Sequence, residues 1–350
     1  MKKILLFAFA ALAVGCGNQA KNEPLEYYLM TYFKDQTHAI YMAISPDGYT
    51  FTDLNGGEPV MRPDTLALQK GLRDPHIFRG PDGALYLSAT DLHISGQRAG
   101  VRDTPWERDV NVYHWGNNRA LLLMKSDDGI NWSKTNLILT DLPGFEDATN
   151  AWAPATTWDE EAGRLLLTWT SRQTPKSQLK LWCAYVDDDY TKLTSEPRVL
   201  FEYPEALAYI DSDITKVGDR YYTFYTPTMA VPDAPNEIGI KMVSSERATG
   251  PYTVEERWVD PETVSCEGPT LFNRLGTDTW VLMYDVYGKR PNNMGFSETT
   301  DFVNFTDIGH FNEGVMKGTN FERPKHGAVT YLTRSQARKL AEHWGVDMEI

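Results

Sequence analysis

The sequence predicts an all-β fold, a five-bladed β-propeller with one short C-terminal helix, on three observations. Short apolar strands alternate with turns that contain Gly or Asp, and helical periodicity is confined to the C-terminus. A turn pattern recurs along the chain, which is the mark of a repeat architecture. Aromatic residues make up 12% of the chain, as is typical of all-β proteins. An irregular β-sandwich is the alternative that the same pattern allows.

The recurring turn consists of a small hydroxyl or acidic residue, an Asp nearby and then an aromatic residue. Its clearest copies are residues 45–51 and 126–132, where an Asp-Gly pair favours a tight turn between strands. Weaker copies are residues 186–193, 245–252 and 299–305. Because each copy follows an apolar strand, each is predicted to join two strands of one blade.

These turns divide the chain into blades. We expect blade one over residues 71–137, blade two over 150–193, blade three over 209–254 and blade four over 265–308. The C-terminal strand 326–332 is predicted to join the N-terminal strands 26–54 and complete blade five, which closes the ring and removes open sheet edges. A capping box from Thr333 to Gln336 predicts the C-terminal helix.

The N-terminus reads as a targeting segment. Lys2 and Lys3 precede the apolar residues 4–14, and small residues lead into Cys16, as in a bacterial lipoprotein signal. We expect a signal peptide over 1–15, a lipidated Cys16, a tether over 16–25 and the propeller over 26–350. The protein would then be lipid-anchored in the bacterial cell envelope, on the periplasmic or the outer-membrane face. An ordinary secretory signal is the alternative.

Composition excludes several classes of protein. The 350 residues include 34 Lys and Arg against 48 Asp and Glu, a net charge of −14, which argues against nucleic-acid binding. The same charge favours a neutral substrate, because strongly anionic substrates would be repelled. Three cysteines cannot build a disulfide scaffold. Cys183 and Cys266 leave a disulfide open, and we expect two separate buried thiols.

Carboxylates recur where the innermost strands of the predicted blades begin. Asp74 in blade one, Asp211 in blade three and Glu267 in blade four are predicted to hold equivalent positions near the axis. Converging carboxylates repel one another and separate their pKa values, and glycoside hydrolysis needs one protonated acid and one ionised base. Three aromatic residues are candidates for a sugar platform: Trp115, Trp152 and Tyr284. Each residue alone also fits a turn or a core position, but together they favour a site.

Five short motifs occur in order along the predicted blades: Arg73-Asp74-Pro75, Trp152-Ala-Pro154, Ile210-Asp211, Glu267-Gly-Pro269 and His326-Gly327. With these motifs the chain resembles the family 43 glycoside hydrolases. These are five-bladed propellers that act on plant polysaccharides, and the resemblance covers most of residues 26–332. It implies that Asp74 is the general base, that Glu267 is the general acid and that Asp211 tunes the acid. It also implies inversion in a single displacement, with the two carboxyl groups roughly 6.5–9.5 Å apart.

The resemblance implies further features of the site. His326 matches a family histidine near the axis, which lies beside a calcium ion or a water cluster. Ala155 departs from the many relatives that carry an acid after Trp-Ala-Pro. The long connection 91–118 is rich in polar and aromatic groups, and we expect it to narrow the pocket. The candidate substrate-binding residues are Arg73, His93, Trp115, Asn117, Trp152, Tyr284 and His326.

The function expected from this resemblance is an exo-acting α-L-arabinofuranosidase that removes a terminal sugar from plant-type polysaccharide. β-Xylosidase and exo-β-galactosidase activities are alternatives in the same class. A non-catalytic glycan-binding lipoprotein is a third reading, which Ala155 favours and the retained axial acids oppose. We expect a monomer that binds an oligosaccharide or polysaccharide, requires no cofactor beyond an optional structural calcium, and meets the membrane only through its lipid anchor.

Overall fold

The computed structural model describes residues 23–101, 109–113, 117–203, 207–229, 239–348 and 350. Within them the strands form five sheets arranged as the blades of a propeller, which confirms the predicted fold. The N-terminal strands are β1 (Leu25–Lys34), β2 (Ala39–Ser45) and β3 (Thr50–Asp53). Blade one contains β4 (Leu72–Arg79), β5 (Leu85–Asp91), β6 (Ala120–Ser126) and β7 (Thr135–Ile138). Blade two contains β8 (Trp152–Asp159), β9 (Arg164–Ser171), β10 (Lys180–Val186) and β11 (Arg198–Val199).

The remaining strands follow the same order. Blade three contains β12 (Leu207–Val217), β13 (Arg220–Met229), β14 (Lys241–Ser245) and β15 (Thr253–Trp258). Blade four contains β16 (Glu267–Asn273), β17 (Trp280–Val286), β18 (Asn293–Thr299) and β19 (Thr306–His310). The last two strands are β20 (Lys317–Gly318) and β21 (Lys325–Thr333). Short helical segments are α1 (Pro63–Leu66), α2 (Val110–Tyr113) and a 3₁₀ turn (Leu139–Asp141), and the C-terminal helix is α3 (Arg334–Trp344).

Blade five closes the ring with both ends of the chain, as predicted. Its strand order is β20-β3-β2-β1-β21, so the C-terminal β21 lies innermost beside the N-terminal β1. Two details differ from the prediction. The two-residue β20 pairs in parallel with β3, and the outer strand of blade two is β11, beyond the expected end at residue 193. Both strands are too short to carry a detectable alternation of apolar and polar residues.

The innermost strands form a closed ring around the axis. Strand β21 contacts β4, β4 contacts β8, β8 contacts β12, β12 contacts β16, and β16 contacts β21. The hydrophobic core is correspondingly divided into five clusters, each mainly between two neighbouring blades. Cys183 and Cys266 are buried in two of these clusters as free thiols, as expected.

The repeated turn has a hydrogen-bonding reason. After β2, the hydroxyl of Ser45 accepts the N–H of Gly48 at 2.9 Å, and Asp47 accepts the N–H of Tyr49 at 2.7 Å. Ser126 and Thr299 begin the corresponding turns after β6 and β18 in the same way. The short polar residue and the Asp that follows satisfy backbone donors that the turn leaves without partners, which is why the pattern recurs.

Helix α3 confirms the predicted capping box. The Thr333 hydroxyl accepts the N–H of Gln336, and the Gln336 side chain accepts the N–H of Thr333, each at 3.2 Å. Gly345 ends the helix in the left-handed conformation, at φ 68°. The buried residues Ala337 and Leu340 pack on the core between blades five and one. No helix in the described part of the chain has the length and apolar character needed to cross a membrane.

Candidate active site

Each of the five innermost strands bends at the same position near the axis. A break in register falls after Arg73, Trp152, Ile210 and Glu267 in blades one to four, and at Lys325 on β21. The residue that follows has a positive φ in every blade: Asp74 (49°), Ala153 (42°), Asp211 (55°), Gly268 (63°) and His326 (24°). A positive φ is strained for residues other than glycine, and such strain concentrates at functional sites.

The bends correct one sequence expectation. Asp74 and Asp211 hold equivalent positions in their strands, as predicted, and both are in the left-handed conformation. Glu267 does not, because it lies one residue earlier, at the position that Arg73 holds in blade one and Lys325 in blade five. The equivalent residue of blade four is Gly268, and a Cβ atom there would lie 2.6 Å from the ring of His326. Glycine at this position therefore leaves room for the imidazole.

Asp74 and His326 form an ion pair near the axis. The Nδ1 atom of His326 lies 3.3 Å from Oδ1 of Asp74. Burial alone would raise the pKa of Asp74, yet the hydrogen bond and the charge of His326 outweigh it and hold that pKa at about 2. Burial would likewise lower the pKa of His326, and Asp74 instead raises it to about 9. At neutral pH Asp74 is therefore an anion beside an imidazolium.

Asp211 and Glu267 have the opposite tendency. Burial, assisted by the charges of Glu267 and Asp74, raises the pKa of Asp211 to about 8. Burial also raises the pKa of Glu267 above its ordinary value, while the nearby cations Lys325 and His326 oppose the shift. The charge of Glu267 is one of the causes that raise the pKa of Asp211, so the ionisation of Asp211 depends on that of Glu267. The site thus combines one carboxylate held ionised with two that tend to keep a proton.

Sequence reasoning missed Asp285, which lies opposite Glu267 in the β16–β17 ladder. The carboxyl group of Asp285 is fully buried, 3.3 Å from Nζ of Lys325. Burial raises the pKa of Asp285 to about 7 although Lys325 opposes the shift. In the sequence, Asp285 is visible only as an acidic residue within the apolar strand β17. The register of β16 against β17 is needed to place it beside Glu267.

Asp35 also escaped the sequence analysis. It follows β1 and lies 2.8 Å from Arg73 and 3.4 Å from Lys325. Burial alone would raise the pKa of Asp35, and the charges of Lys325 and Arg73 lower it instead. Burial would lower the pKa of Lys325, and Asp285 and Asp35 raise it. Lys325 therefore remains cationic at the edge of the axial site.

The other predicted binding residues have different environments. Trp152 is half-buried on β8, just before the bend, and Asn117 is half-buried with its carbonyl accepting from Gln69 at 2.9 Å. His93 stacks on His38 with ring centroids 4.0 Å apart. The expectation for Tyr284 is wrong, because its side chain is fully buried in the core between blades three and four and offers no face to a sugar. Trp115 and Cys16 lie outside the described residues.

The surroundings of His326 do not suit a calcium ion. His326 is cationic beside Asp74, and Lys325 and Arg73 add two further positive charges nearby. Calcium prefers several oxygen ligands without competing cations. Among the described residues, no group of three or more His, Cys, Asp or Glu side chains has a metal-binding arrangement.

Below the axial acids lies a second pair, His76 and Asp213. The Nε2 atom of His76 is 3.1 Å from Oδ1 of Asp213, and Oδ2 of Asp213 accepts the N–H of Leu271 at 2.9 Å. Ala155 lines the small axial cavity in this region and is equivalent to His76 and Asp213 by the register of the bends. The alanine at position 155, where many relatives have an acid, therefore lies in the layer of His76 and Asp213. It does not alter the layer of Asp74 and Asp211.

Comparison with solved structures shows the class of fold. The chain is similar to an endo-1,4-β-xylanase from Bacteroides thetaiotaomicron, with a TM-score of 0.55 and 11% identity over 83% of this chain and 96% of that one. It is also similar to an α-L-arabinanase from Cellvibrio cellulosa, solved with arabinohexaose, with a TM-score of 0.53 and 14% identity over 82% and 95%. An exo-1,5-α-L-arabinanase from a bovine ruminal metagenomic library gives a TM-score of 0.53 and 15% identity over 78% and 89%.

The family follows from the sequence itself. Residues 23–338 match the model of a family described as "probable glycosyl hydrolase domain", related to glycoside hydrolase family 43. The chain belongs to this family, and it is a glycosidase that acts on a glycan. No protein with a curated description matches the sequence.

Proposed function

We propose that the protein is an inverting, exo-acting glycoside hydrolase that removes a terminal sugar, most specifically an α-L-arabinofuranosidase. In this proposal Asp74 is the general base, Glu267 is the general acid and Asp211 tunes the acid. The observation that carries it is the separation of the pKa values at the axis. Asp74 is held at about 2, whereas burial raises the pKa of Glu267 and that of Asp211.

The proposed chemistry is a single displacement. Asp74 accepts a proton from water while the water oxygen bonds to the anomeric carbon, and Glu267 protonates the oxygen of the departing group. His326 holds Asp74 ionised and oriented through the contact of 3.3 Å. Asp211 and Glu267 both tend to retain a proton, and a negative charge on one favours the protonated form of the other. The proposed route passes through no metal ion.

The sugar is the less constrained part of the proposal. Arabinofuranoside is chosen because the chain resembles polysaccharide-utilisation enzymes and carries the long connection 91–118. Two of the similar structures are named as arabinanases, one as a xylanase and another as a β-1,3-galactosidase. β-Xyloside and β-galactoside are therefore the alternatives to test. Half-buried Trp152, at the start of the innermost strand of blade two, supports a stacking surface for the sugar ring.

The cellular setting is also a proposal. The lipobox-like residues before Cys16 support a lipid-anchored protein of the bacterial cell envelope. We propose that the mature chain acts there as a monomer, without a required cofactor, and meets the membrane only through the anchor. Incorporation of labelled palmitate into the wild-type chain, but not into a Cys16→Ser variant, would be expected.

The activity is tested by a release assay on residues 17–350. The panel consists of nitrophenyl α-L-arabinofuranoside, β-D-xyloside and β-D-galactoside, together with arabinose-decorated polysaccharide. Glu267→Gln should lower turnover by about a thousandfold on nitrophenyl substrates, and by less on a dinitrophenyl substrate, whose leaving group needs no proton.

The matched control is Glu298→Gln in the same blade. Glu298 accepts the hydroxyl of Tyr49 at 2.5 Å and belongs to β18, away from the axial acids, so this variant should keep its activity. Absence of hydrolysis on the whole panel, with glycan binding retained in wild type and in Glu267→Gln, would replace the proposal with the non-catalytic binding protein.

A further inference from the structure

A second cavity lies beside the axial site, between blades four and five. Its volume is about 500 Å³, within the range of small-ligand sites. We name it the blade-five cavity and define it by its lining residues, Asp35, Gln36, Arg290, Pro291, Asn292, Arg323 and Lys325. None of the roles proposed above uses Arg290 or Arg323.

The blade-five cavity carries an excess of positive charge. Arg290 and Arg323 are exposed, and no carboxylate of the described residues lies within 4 Å of either guanidinium group. Arg290 donates to the carbonyl of Tyr287 and to Asn292, which holds its guanidinium at the cavity without neutralising it. This local excess contrasts with the net charge of −14 for the chain.

The acid in the cavity is already neutralised. Asp35 lies 2.8 Å from Arg73 and 3.4 Å from Lys325, and both cations lower its pKa. Lys325 is shared between Asp35 and the buried Asp285. The charges of Arg290 and Arg323 therefore remain available to a ligand, and a planar guanidinium binds a carboxylate through two parallel hydrogen bonds.

The blade-five cavity is connected to the region of Glu267 by Lys325 and Tyr287. Lys325 lines it and also contacts Asp285, which faces Glu267 across the β16–β17 ladder. Arg290 donates to the carbonyl of Tyr287. Burial, together with the charge of Glu267, raises the pKa of the Tyr287 hydroxyl to about 12, so this side chain lies near Glu267. These contacts connect the cavity to Glu267, which in the proposed function protonates the departing group.

We propose that the blade-five cavity binds an anionic sugar on the leaving-group side of the scissile bond, with Arg290 and Arg323 recognising its carboxylate. The inference rests on the proposed function and refines it: the terminal sugar is neutral, and the sugar that carries it is a uronic acid. It departs from the neutral glycan that the net charge predicts, because a local cationic cleft attracts anions despite an acidic surface. A sulfate ester offers the same charge and serves as the second arm of the test.

The test measures binding by titration calorimetry in the Glu267→Gln variant. The probes are digalacturonate, its neutral counterpart galactobiose, and galactose 6-sulfate beside galactose. Digalacturonate is expected to bind about tenfold or more tightly than galactobiose, with the difference reduced by salt. A charge preference confined to the sulfated pair would also support the anion site and would assign the anion as sulfate.

The decisive variants remove two positive charges each. Arg290→Ala with Arg323→Ala should abolish the preference for digalacturonate, and Arg290→Lys with Arg323→Lys should restore part of it. The matched control is Arg338→Ala with Lys339→Ala, a pair of exposed cations on α3 that should leave the preference unchanged. Equal affinity for digalacturonate and galactobiose, and for the sulfated and neutral galactose, would overturn the inference, as would equal losses in the two alanine pairs.

The release assay keeps the two proposals separate. Hydrolysis of nitrophenyl glycosides by the wild type tests the proposed function without an anionic sugar on the leaving-group side. Hydrolysis without any preference for anionic probes overturns the inference alone. An arginine-dependent preference without hydrolysis would support the anion site and contradict the catalytic proposal.

Discussion

The side chains around the axis form an upper layer of Asp74, Asp211 and His326 and a lower layer of His76 and Asp213. Both layers contain carboxylates and an imidazole, but their surroundings differ. In the upper layer Asp74 contacts His326 at 3.3 Å, and two strained bends hold Asp74 and Asp211. In the lower layer His76 contacts Asp213 at 3.1 Å, two residues further along the same strands. Carboxylates and imidazoles alone therefore do not distinguish a reactive site from a structural pair.

Hydrogen bonding distinguishes the two layers. Both oxygens of Asp213 accept bonds, from His76 and from the N–H of Leu271, and Nδ1 of His76 accepts the N–H of Thr156 at 3.3 Å. Asp211 is 7% exposed, and its carboxyl has no hydrogen-bond donor among the described residues. A buried acid without donors keeps its proton, so the unsatisfied carboxyl of Asp211 is what sets the upper layer apart.

The largest expected effect compares the two layers directly. Asp74→Asn should lower kcat/KM by about a thousandfold, because the amide cannot accept a proton from water. Asp213→Asn should act mainly on the fold, since one of its two accepting oxygens becomes a donor, at a cost of about 1–3 kcal/mol in unfolding free energy. Kinetics and chemical denaturation of both variants check the contrast. A thousandfold loss of kcat/KM in a folded Asp213→Asn enzyme would erase the distinction between the layers.

A smaller effect is expected from Gly268→Ala. The new methyl group would meet the His326 ring 2.6 Å away, and φ of 63° would strain the backbone. We expect roughly a tenfold fall in kcat and a loss of about 1–2 kcal/mol in stability. Gly276→Ala is the matched control, because its φ is 77° and nothing lies within 4 Å of its Cβ. It should show the backbone cost alone, and a fall in kcat as large as that of Gly268→Ala would exclude the role assigned to the imidazole.

The smallest effect concerns stability and its pH dependence. The pKa of Asp211 rises from 3.8 to about 8 on folding, so the folded chain binds the proton more tightly. The stability that this carboxyl contributes is present below pH 3.8 and is lost as the pH rises toward 8. Asp211→Asn should therefore raise Tm by about 2 °C or more at pH 7, and by less at pH 4. Calorimetric scans at both pH values test this, and a lower Tm at pH 7 would contradict the buried-acid account.

The same variant also probes catalysis. Asp211 becomes anionic as the pH rises toward 8, and this charge opposes the ionisation of Glu267. Its removal in Asp211→Asn lowers the pKa of Glu267 in that range, so the descending limb of the kcat/KM profile should move to lower pH by about one unit. The pH profile of Asp211→Asn against wild type measures the shift. An unchanged limb would separate Asp211 from the proposed acid.

Much of the fold was accessible from sequence because its signals are local. The turns after β2, β6 and β18 need a hydroxyl and an Asp at fixed positions, and the capping box needs Thr333 and Gln336, so each leaves a short readable pattern. Strands such as β20, whose partner lies far away in the chain, leave none. The blades were therefore predictable, and their shortest outer strands were not.

The site was accessible only in part, because it depends on register. The spacing correctly predicted that Asp74 and Asp211 hold equivalent positions. In β16 the equivalent position is Gly268, so Glu267 lies one residue before it. On β17 the alternation of side chains buries Tyr284 in the core and sets Asp285 opposite Glu267. Since a shift of one residue exchanges the two faces of a strand, composition cannot separate these neighbours.

The central claim is that Asp74 and Glu267 act together in one displacement at the axis. Proton NMR of the first sugar released from the preferred glycoside tests it most directly, before mutarotation equilibrates the anomers. The account predicts that the first product has the anomeric configuration opposite to that of the substrate. A first product with the configuration retained would contradict it, because retention requires a covalent intermediate that this pair of carboxyl groups is not proposed to form.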